Sequence, residues 1–457
     1  MLVYLTTFAS LSTAGVAAVL NWHQSTTPTC RFALKYSQED ILWDPSGFVS
    51  DYFPSRLCCM RTQSLAPKAR FLSPANPGAA PDVALSILKA KLNTCLRFNN
   101  TYPGFGGFLP WFTADIRDPA PTSDWVNRAP ALDNGELVWA VYAAIQALDN
   151  NGTPEYRALA RQWQVWMDYV KSTASKVFYA RKGQVCAVTT LTNQSWPVDH
   201  LDQKYACESD DRLDDPYEGE LFTWWLQLFG TLREDHKQRL WDAKRAKLVS
   251  FWFSSHEQWK ILQMPYYDVD IIRRVSDNAE RVRTCNSVVT NNPGMFASVN
   301  NSTNVTSGEI MGYISDAGIP SISSQPVRNL DVITPYSVFP ALLSNQTVGL
   351  AWLRNMLVGQ KMQNPYGSTE STRIDGTLVS ALVTWDSKVT TMVALLGGVG
   401  DLVRQKMQAD GIDQDFLLIA DREYSAIFTD LKGETVEYCL PQARVPQVGL
   451  VDFAGCT

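Results

Sequence analysis

The chain has 457 residues, 45% of them hydrophobic and 19% charged, a balance ordinary for a globular core and a length able to bury most apolar surface without help from metals. Its formal net charge of -6, with no long basic run, excludes a nucleic-acid partner, which requires clustered Lys and Arg against phosphates.

Residues 1–20, MLVYLTTFASLSTAGVAAVL, are apolar and small. They read as a signal peptide or as a degenerate N-terminus, because no Lys or Arg precedes the apolar stretch. Thr and Ser interrupt it, so it makes a poor membrane span, and no other stretch approaches 18 apolar residues. No membrane partner is expected. Residues 21–80 are rich in Pro, Ser and aromatics and lack periodicity. They read as an N-terminal extension over a helical body at 81–457.

Within that body, 82–97 carries apolar residues at three- and four-residue spacing. Residues 134–148 (NGELVWAVYAAIQAL) are apolar nearly all round, as a buried inner helix requires, and 155–176 are amphipathic, as an outer helix requires. The alternation recurs in 216–230 (PYEGELFTWWLQLFG) and 233–248. It recurs again in 336–344 and 346–360, and residues 386–408 are apolar in their first half. Residues 412–428 predict a last helix and 434–457 a β-like tail, with strand-like runs in 177–190 and 249–268. Apolar helices alternating with amphipathic ones predict an all-α toroid of two concentric rings. An irregular all-α globule has the same periodicity.

Asn99, Asn151, Asn193, Asn300, Asn301, Asn304 and Asn345 each begin an N-x-Ser/Thr triplet, and the run NNSTNVT suits an exposed loop tip. Nine Cys residues, widely spaced apart from the adjacent Cys58 and Cys59, form no CxxC motif, which suits disulfides in an oxidising, secreted compartment rather than a zinc site. Cys439 or Cys456 is placed to tie down the C-terminal tail.

The four His residues share no metal-ligand spacing, and HExxH, GxSxG and phosphate-loop motifs are absent. No metal and no cofactor is expected, and acid–base chemistry falls to carboxylates. Asp133 and Glu136 stand in ALDNGELVWA, where their spacing also fits a capping box. In PYEGE, Asp215, Pro216 and Glu218 read as N-cap, N1 and N3, which gives Glu218 a capping role and leaves Glu220 as the stronger acid candidate. Asp386, in VTWDSKVTTMVALLGG, opens another apolar helix, as a catalytic group or as an N-cap. The loop YPGFGGFLPWF at 102–112 allows close backbone approach to a ligand at its glycines, or is a buried turn. Glu257 is a weaker candidate.

Together, YPGFGGFLPW, ALDNGELVWA, PYEGELFTWWLQLFG and NPYGSTES…LVTWDSKVTTMVALLGG resemble the fungal endo-β-1,2-glucanases of glycoside hydrolase family 162 and the related bacterial family 144, over about 80–430. The resemblance implies an (α/α)6 barrel that cleaves glucan with inversion and without metal. It places the general acid in the EGE motif, at Glu220 or Glu218, and the general base at Asp386. The 15 Trp residues then gain a second use, because flat aromatic faces stack on sugar rings. Phe105, Trp111, Trp125, Trp224 and Trp385 are the expected stacking faces, with Tyr366, Asp133 and Glu136 as further substrate contacts. The expected protein is a secreted monomer acting on β-1,2-glucan. Its rivals are a glycosidase or lyase of another linkage on the same toroid, and a secreted glucan-binding protein without catalysis.

Overall fold

The computed structural model describes residues 80–446, apart from 114–118, 210, 215–218, 298, 301–312, 315–316, 328–331, 358–361, 365–366, 377–378 and 381–384. The leader and extension expected at 1–79, Cys30, Cys58, Cys59, Cys456, Asn301 and Asn304 lie outside the described residues.

The described chain is mainly helical with a few small sheets. Helix α1 spans Ala80–Thr101, α2 Ala131–Asn151 and α3 Pro154–Phe178. Sixteen of the 21 residues of α2 are buried, whereas α3 buries one stripe and exposes the other face. The all-round burial expected of the first and the one-sided burial expected of the second are therefore observed, and the two pack side by side. Helix α4, Gly219–Phe229, packs its nearly all-apolar surface against α2. The seam is close because residue 135 is glycine: a Cβ there would lie 2.8 Å from the Phe222 backbone nitrogen. Trp139 Nε1 crosses the same seam to donate to the Leu221 carbonyl at 2.8 Å.

Several expected elements are broken in the structure. The charged helix at 233–248 is two short helices, α5 (Glu234–Arg239) and α6 (Asp242–Lys247), because Leu240 and Trp241 turn inward between them. The strand-like run around 249–253 forms no strand. Glu257 accepts the backbone N–H groups of Trp252, Phe253 and Ser254 instead, so it is a structural carboxylate that satisfies a loop. Short helix α7 (Trp259–Gln263) and long α8 (Asp270–Val289) follow. A 3-10 turn at Pro335–Val338 leads into α9 (Phe339–Ser344) and α10 (Gln346–Leu357). Residues 386–408 are likewise two helices, α11 (Trp385–Leu395) and α12 (Gly400–Asp410), because Gly397 and Gly398 take positive φ of 88° and 78°. Helix α13 spans Asp413–Ser425. The described part of the tail, 434–446, holds no strand.

Three strands form an antiparallel sheet: β1 (Arg128–Pro130), β2 (Val188–Leu191) and β3 (Tyr205–Cys207), with Arg128 opposite Thr190 and Thr190 opposite Ala206. Strand β1 runs straight into α2. The remaining sheets are two-stranded. Disulfide Cys186–Cys207 ties this region together, and Cys285–Cys439 fastens the C-terminal segment to α8, as expected of Cys439. Among the described cysteines only Cys95 is free, and it is buried. No helix among the described residues is long and apolar enough to cross a membrane.

Candidate functional site

The expected site residues gather first around the start of α2. Asn134 is buried and locks the 102–112 loop to this helix: its amide oxygen accepts Leu109 N–H at 2.9 Å, and its amide nitrogen donates to the carbonyls of Leu109 and Pro130. The glycines fit the same loop against other neighbours, the 193–194 backbone and α3. Gly104 lies so close to the 193–194 backbone that a Cβ would sit 2.7 Å from the Asn193 carbonyl oxygen, and Gly106 and Gly107 have positive φ. The N-cap of α2 is Pro130, so Asp133 lies inside the first turn and is no capping residue. It accepts a hydrogen bond from Trp111 Nε1 at 2.9 Å. Asp133 and Glu136 are 3% and 1% exposed. They are two buried carboxylates one turn apart on one helix face.

Trp111 is half-buried, and Trp125 lies behind it with ring centroids 4.2 Å apart. The Arg128 guanidinium sits 4.5 Å from the Trp125 ring centre and pairs with Glu208. Carboxylate, guanidinium and the two indoles are thus in successive contact. Three of the expected stacking faces need correction. Phe105 and Trp224 are fully buried and Trp125 is 4% exposed, so none opens a ring face to a sugar. Phe105 packs on Phe98, and Trp224 packs between Trp241 and Phe416. A large aromatic in a run such as FTWWLQLF fills a core before it meets solvent, because burial of its whole surface is worth more than one exposed face.

The start of α4 holds a second cluster. Glu220 is fully buried. It accepts Tyr266 O–H at 2.6 Å and Tyr424 O–H at 3.0 Å, and Lys260 Nζ lies 3.0 Å away. Trp224 Nε1 donates to the Tyr266 oxygen at 2.7 Å. Burial, followed by the Glu220 charge, pushes the Tyr266 phenol well above its usual value, which keeps it a donor. The preference for Glu220 as the general acid therefore meets a physical objection: the group is enclosed among hydrogen-bond donors, not open to a sugar. The idea that Glu220 lacked a structural role is corrected with it. Lys260, Tyr266 and Tyr424 escaped the sequence reading. Their one signal was a lysine set inside the apolar run WKIL.

A third polar cluster stands at the start of α11. Glu370 and Ser387 are buried, and Ser387 Oγ donates to Glu370 at 2.7 Å. Lys388 Nζ lies 3.2 Å from the same hydroxyl. Asp386 stands in the first turn of this helix, but its side chain and that of Trp385 lie outside the described residues, as do Glu218 and Tyr366. Helix α7, which carries Lys260, packs against both α2 and α11. Among the described residues no group of His, Cys, Asp and Glu has a metal-binding arrangement.

An endo-beta-1,2-glucanase SGL family model, glycoside hydrolase family 162, matches residues 57–457. An endo-beta-1,2-glucanase from Talaromyces funiculosus, solved with sophorose, is 52% identical. The match covers 96% of this chain and 99% of that one, with a TM-score of 0.87. A mutant of the Talaromyces enzyme, with one glutamate changed to glutamine and solved with beta-1,2-glucan, is 51% identical over 97% of this chain and 99% of that one, also at 0.87. A Bacteroides caccae protein named as a candidate glucoamylase is 12% identical over 89% of this chain and 98% of that one, with a TM-score of 0.52, a likeness of fold alone. No curated protein sequence matches significantly. The chain belongs to the endo-beta-1,2-glucanase family of glycoside hydrolases, family 162.

Proposed function

We propose that this glycoside hydrolase is a secreted monomer that cuts β-1,2-glucan internally, with inversion, at one end of an (α/α)6 barrel. The observation that carries the reading is the convergence of buried carboxylates on the starts of apolar inner helices. Asp133 and Glu136 open α2, and that helix meets the first turn of α4 at the Gly135–Phe222 contact. The likeness to the Talaromyces glucanase with its bound sugars supports the substrate.

Inverting hydrolysis divides the work between an acid that protonates the leaving oxygen and a base that activates water on the opposite face of the sugar ring. Asp386 is the proposed base. The acid is proposed within the EGE motif, reaching the leaving oxygen directly or through a substrate hydroxyl. The enclosure of Glu220 supports Glu218 for that role. Trp111, half-exposed and backed by Trp125, is the proposed stacking face, and Asp133 holds its indole N–H. Secretion is supported by the two disulfides among the described residues and by the sequon run at 300–306, whereas Pro154 after Thr153 makes Asn151 a poor acceptor.

The deciding experiment is hydrolysis of β-1,2-glucan beside β-1,3- and β-1,4-glucans, with the anomer of the first product followed by NMR. The expected result is short β-1,2-linked oligosaccharides released as the α-anomer. Glu218→Gln and Asp386→Asn should each lose at least about a hundredfold in kcat with Tm unchanged, since acid–base help is worth about 10²–10⁴-fold. Hydrolysis of another linkage alone, or full activity in both amides, would refute the reading. A mass drop on deglycosylation after expression in a secreting eukaryotic host tests the compartment.

A further inference from the structure

The buried cluster around Glu220 is larger than a capping arrangement needs. Glu220 stands in the first turn of α4 and Trp224 one turn later, so both point to the same side of the helix. Both end on one atom, the Tyr266 hydroxyl: Glu220 accepts from it at 2.6 Å and Trp224 donates to it at 2.7 Å. Tyr424 from α13 and Lys260 from α7 close the remaining sides of the carboxylate, and Lys260 also donates to the Tyr424 hydroxyl. Two segments distant in sequence, 260–266 and α13, therefore meet on one turn of α4. The opposite side of that turn is held by α2, through Gly135 against Phe222 and Trp139 against the Leu221 carbonyl. These contacts restrain the first turn of α4 on both sides against rotation and sliding.

We infer that Glu220, Lys260, Tyr266 and Tyr424 are positioning residues for the general acid, fixing the helix start that directly follows Glu218. The inference rests on the proposed reading that the acid is Glu218. Its physical basis is the steep dependence of acid catalysis on geometry. A displacement of about 1 Å in a reacting group costs on the order of a hundredfold in rate, and a site is held to that tolerance by the buried hydrogen bonds behind it. A buried ion pair is an expensive way to hold a helix, since a well-packed apolar replacement is often as stable or more so. What it supplies is a single orientation.

The test compares two substrates of one enzyme. β-1,2-Glucan has a poor alkoxide leaving group and needs the acid. A dinitrophenyl β-glycoside of sophorotriose has a leaving group that departs without protonation, so it does not. Tyr424→Phe and Glu220→Gln keep shape and remove one part of the cluster each. Each should lower kcat on glucan at least about tenfold, with KM within about twofold. Turnover of the dinitrophenyl substrate should stay within about twofold, so that the ratio of the two activities falls. A proportional fall on both substrates would mean that the cluster only holds the fold, and unchanged glucan turnover would mean that it holds nothing the reaction needs. A loss of a hundredfold or more in Glu220→Gln with Tyr424→Phe unaffected would make Glu220 the acid itself. Each of these three results overturns the inference. A parent enzyme that turns over the dinitrophenyl substrate but not β-1,2-glucan would instead remove the proposed function, and this inference with it.

Discussion

Gly135→Ala separates helix propensity from packing. Gly135 lies in the first turns of α2, where exchange for Ala gains about 0.8–1.0 kcal/mol in an unconstrained helix. Here the added methyl would stand 2.8 Å from Phe222 N, 3.1 Å from Leu221 Cβ and 3.2 Å from Phe222 Cβ. The nearest of these atoms is backbone, so relief requires α2 and α4 to separate. Overpacking of this kind costs about 1–3 kcal/mol. The separation also stretches the Trp139–Leu221 hydrogen bond on the same seam, itself worth about 0.5–1.5 kcal/mol. The expected balance is a net loss of about 2 kcal/mol, a fall in Tm of roughly 2–4 °C for a domain of this size. Because α2 carries Asp133 and Glu136 and α4 carries the Glu220 cluster, kcat on β-1,2-glucan should fall about tenfold or more. Differential scanning calorimetry and a reducing-sugar assay read the two effects. A Tm that rises with full turnover would refute the reasoning, because propensity alone would then govern the site.

Three further outcomes are expected. The double variant Cys285→Ser, Cys439→Ser opens a loop of sequence separation 154 and should lose up to about 5 kcal/mol in the chain-entropy picture, read as a lower urea midpoint; an unchanged midpoint would contradict it. Burial pushes the Cys95 thiol up to about 12, well above its ordinary value. Its folded value thus exceeds its unfolded one, so its contribution to stability is full below about pH 9 and is lost as pH rises toward 12. Native protein should leave Cys95 unlabelled by a thiol reagent at pH 8 until urea unfolds it, and labelling at the native rate of an open thiol would disprove the burial. Trp111→Ala should raise KM for glucan at least about tenfold by removing the proposed stacking face, whereas Phe105→Leu should lower Tm and leave KM alone; the reverse pattern would reassign the two rings.

The sequence reading went furthest where one helix face decides the outcome. Residues 134–148 are apolar all round and become the buried α2; 155–176 are amphipathic and become α3 beside it. It overran where a local breaker interrupts a long pattern. Gly397 and Gly398 divide α11 from α12, and the inward turn of Leu240 and Trp241 divides α5 from α6. Periodicity registers which faces are apolar but not where the chain must turn to bury them.

The site divides along the same line. The sequence by itself determined the chemistry on offer: carboxylates at the starts of apolar helices, no histidine or cysteine set with metal spacing, a glycine-rich aromatic loop and a motif order that resembles family 162. Those are local facts, carried by residue type and spacing. Only the tertiary structure decided which of those groups are enclosed. Asp133 became the partner of the Trp111 indole rather than a cap, Phe105 and Trp224 became core, and Glu220 became the centre of a cluster built with Lys260, Tyr266 and Tyr424. Those partners lie 40, 46 and 204 residues away along the chain, and no pattern in a sequence window reports a contact that exists only once distant helices have packed.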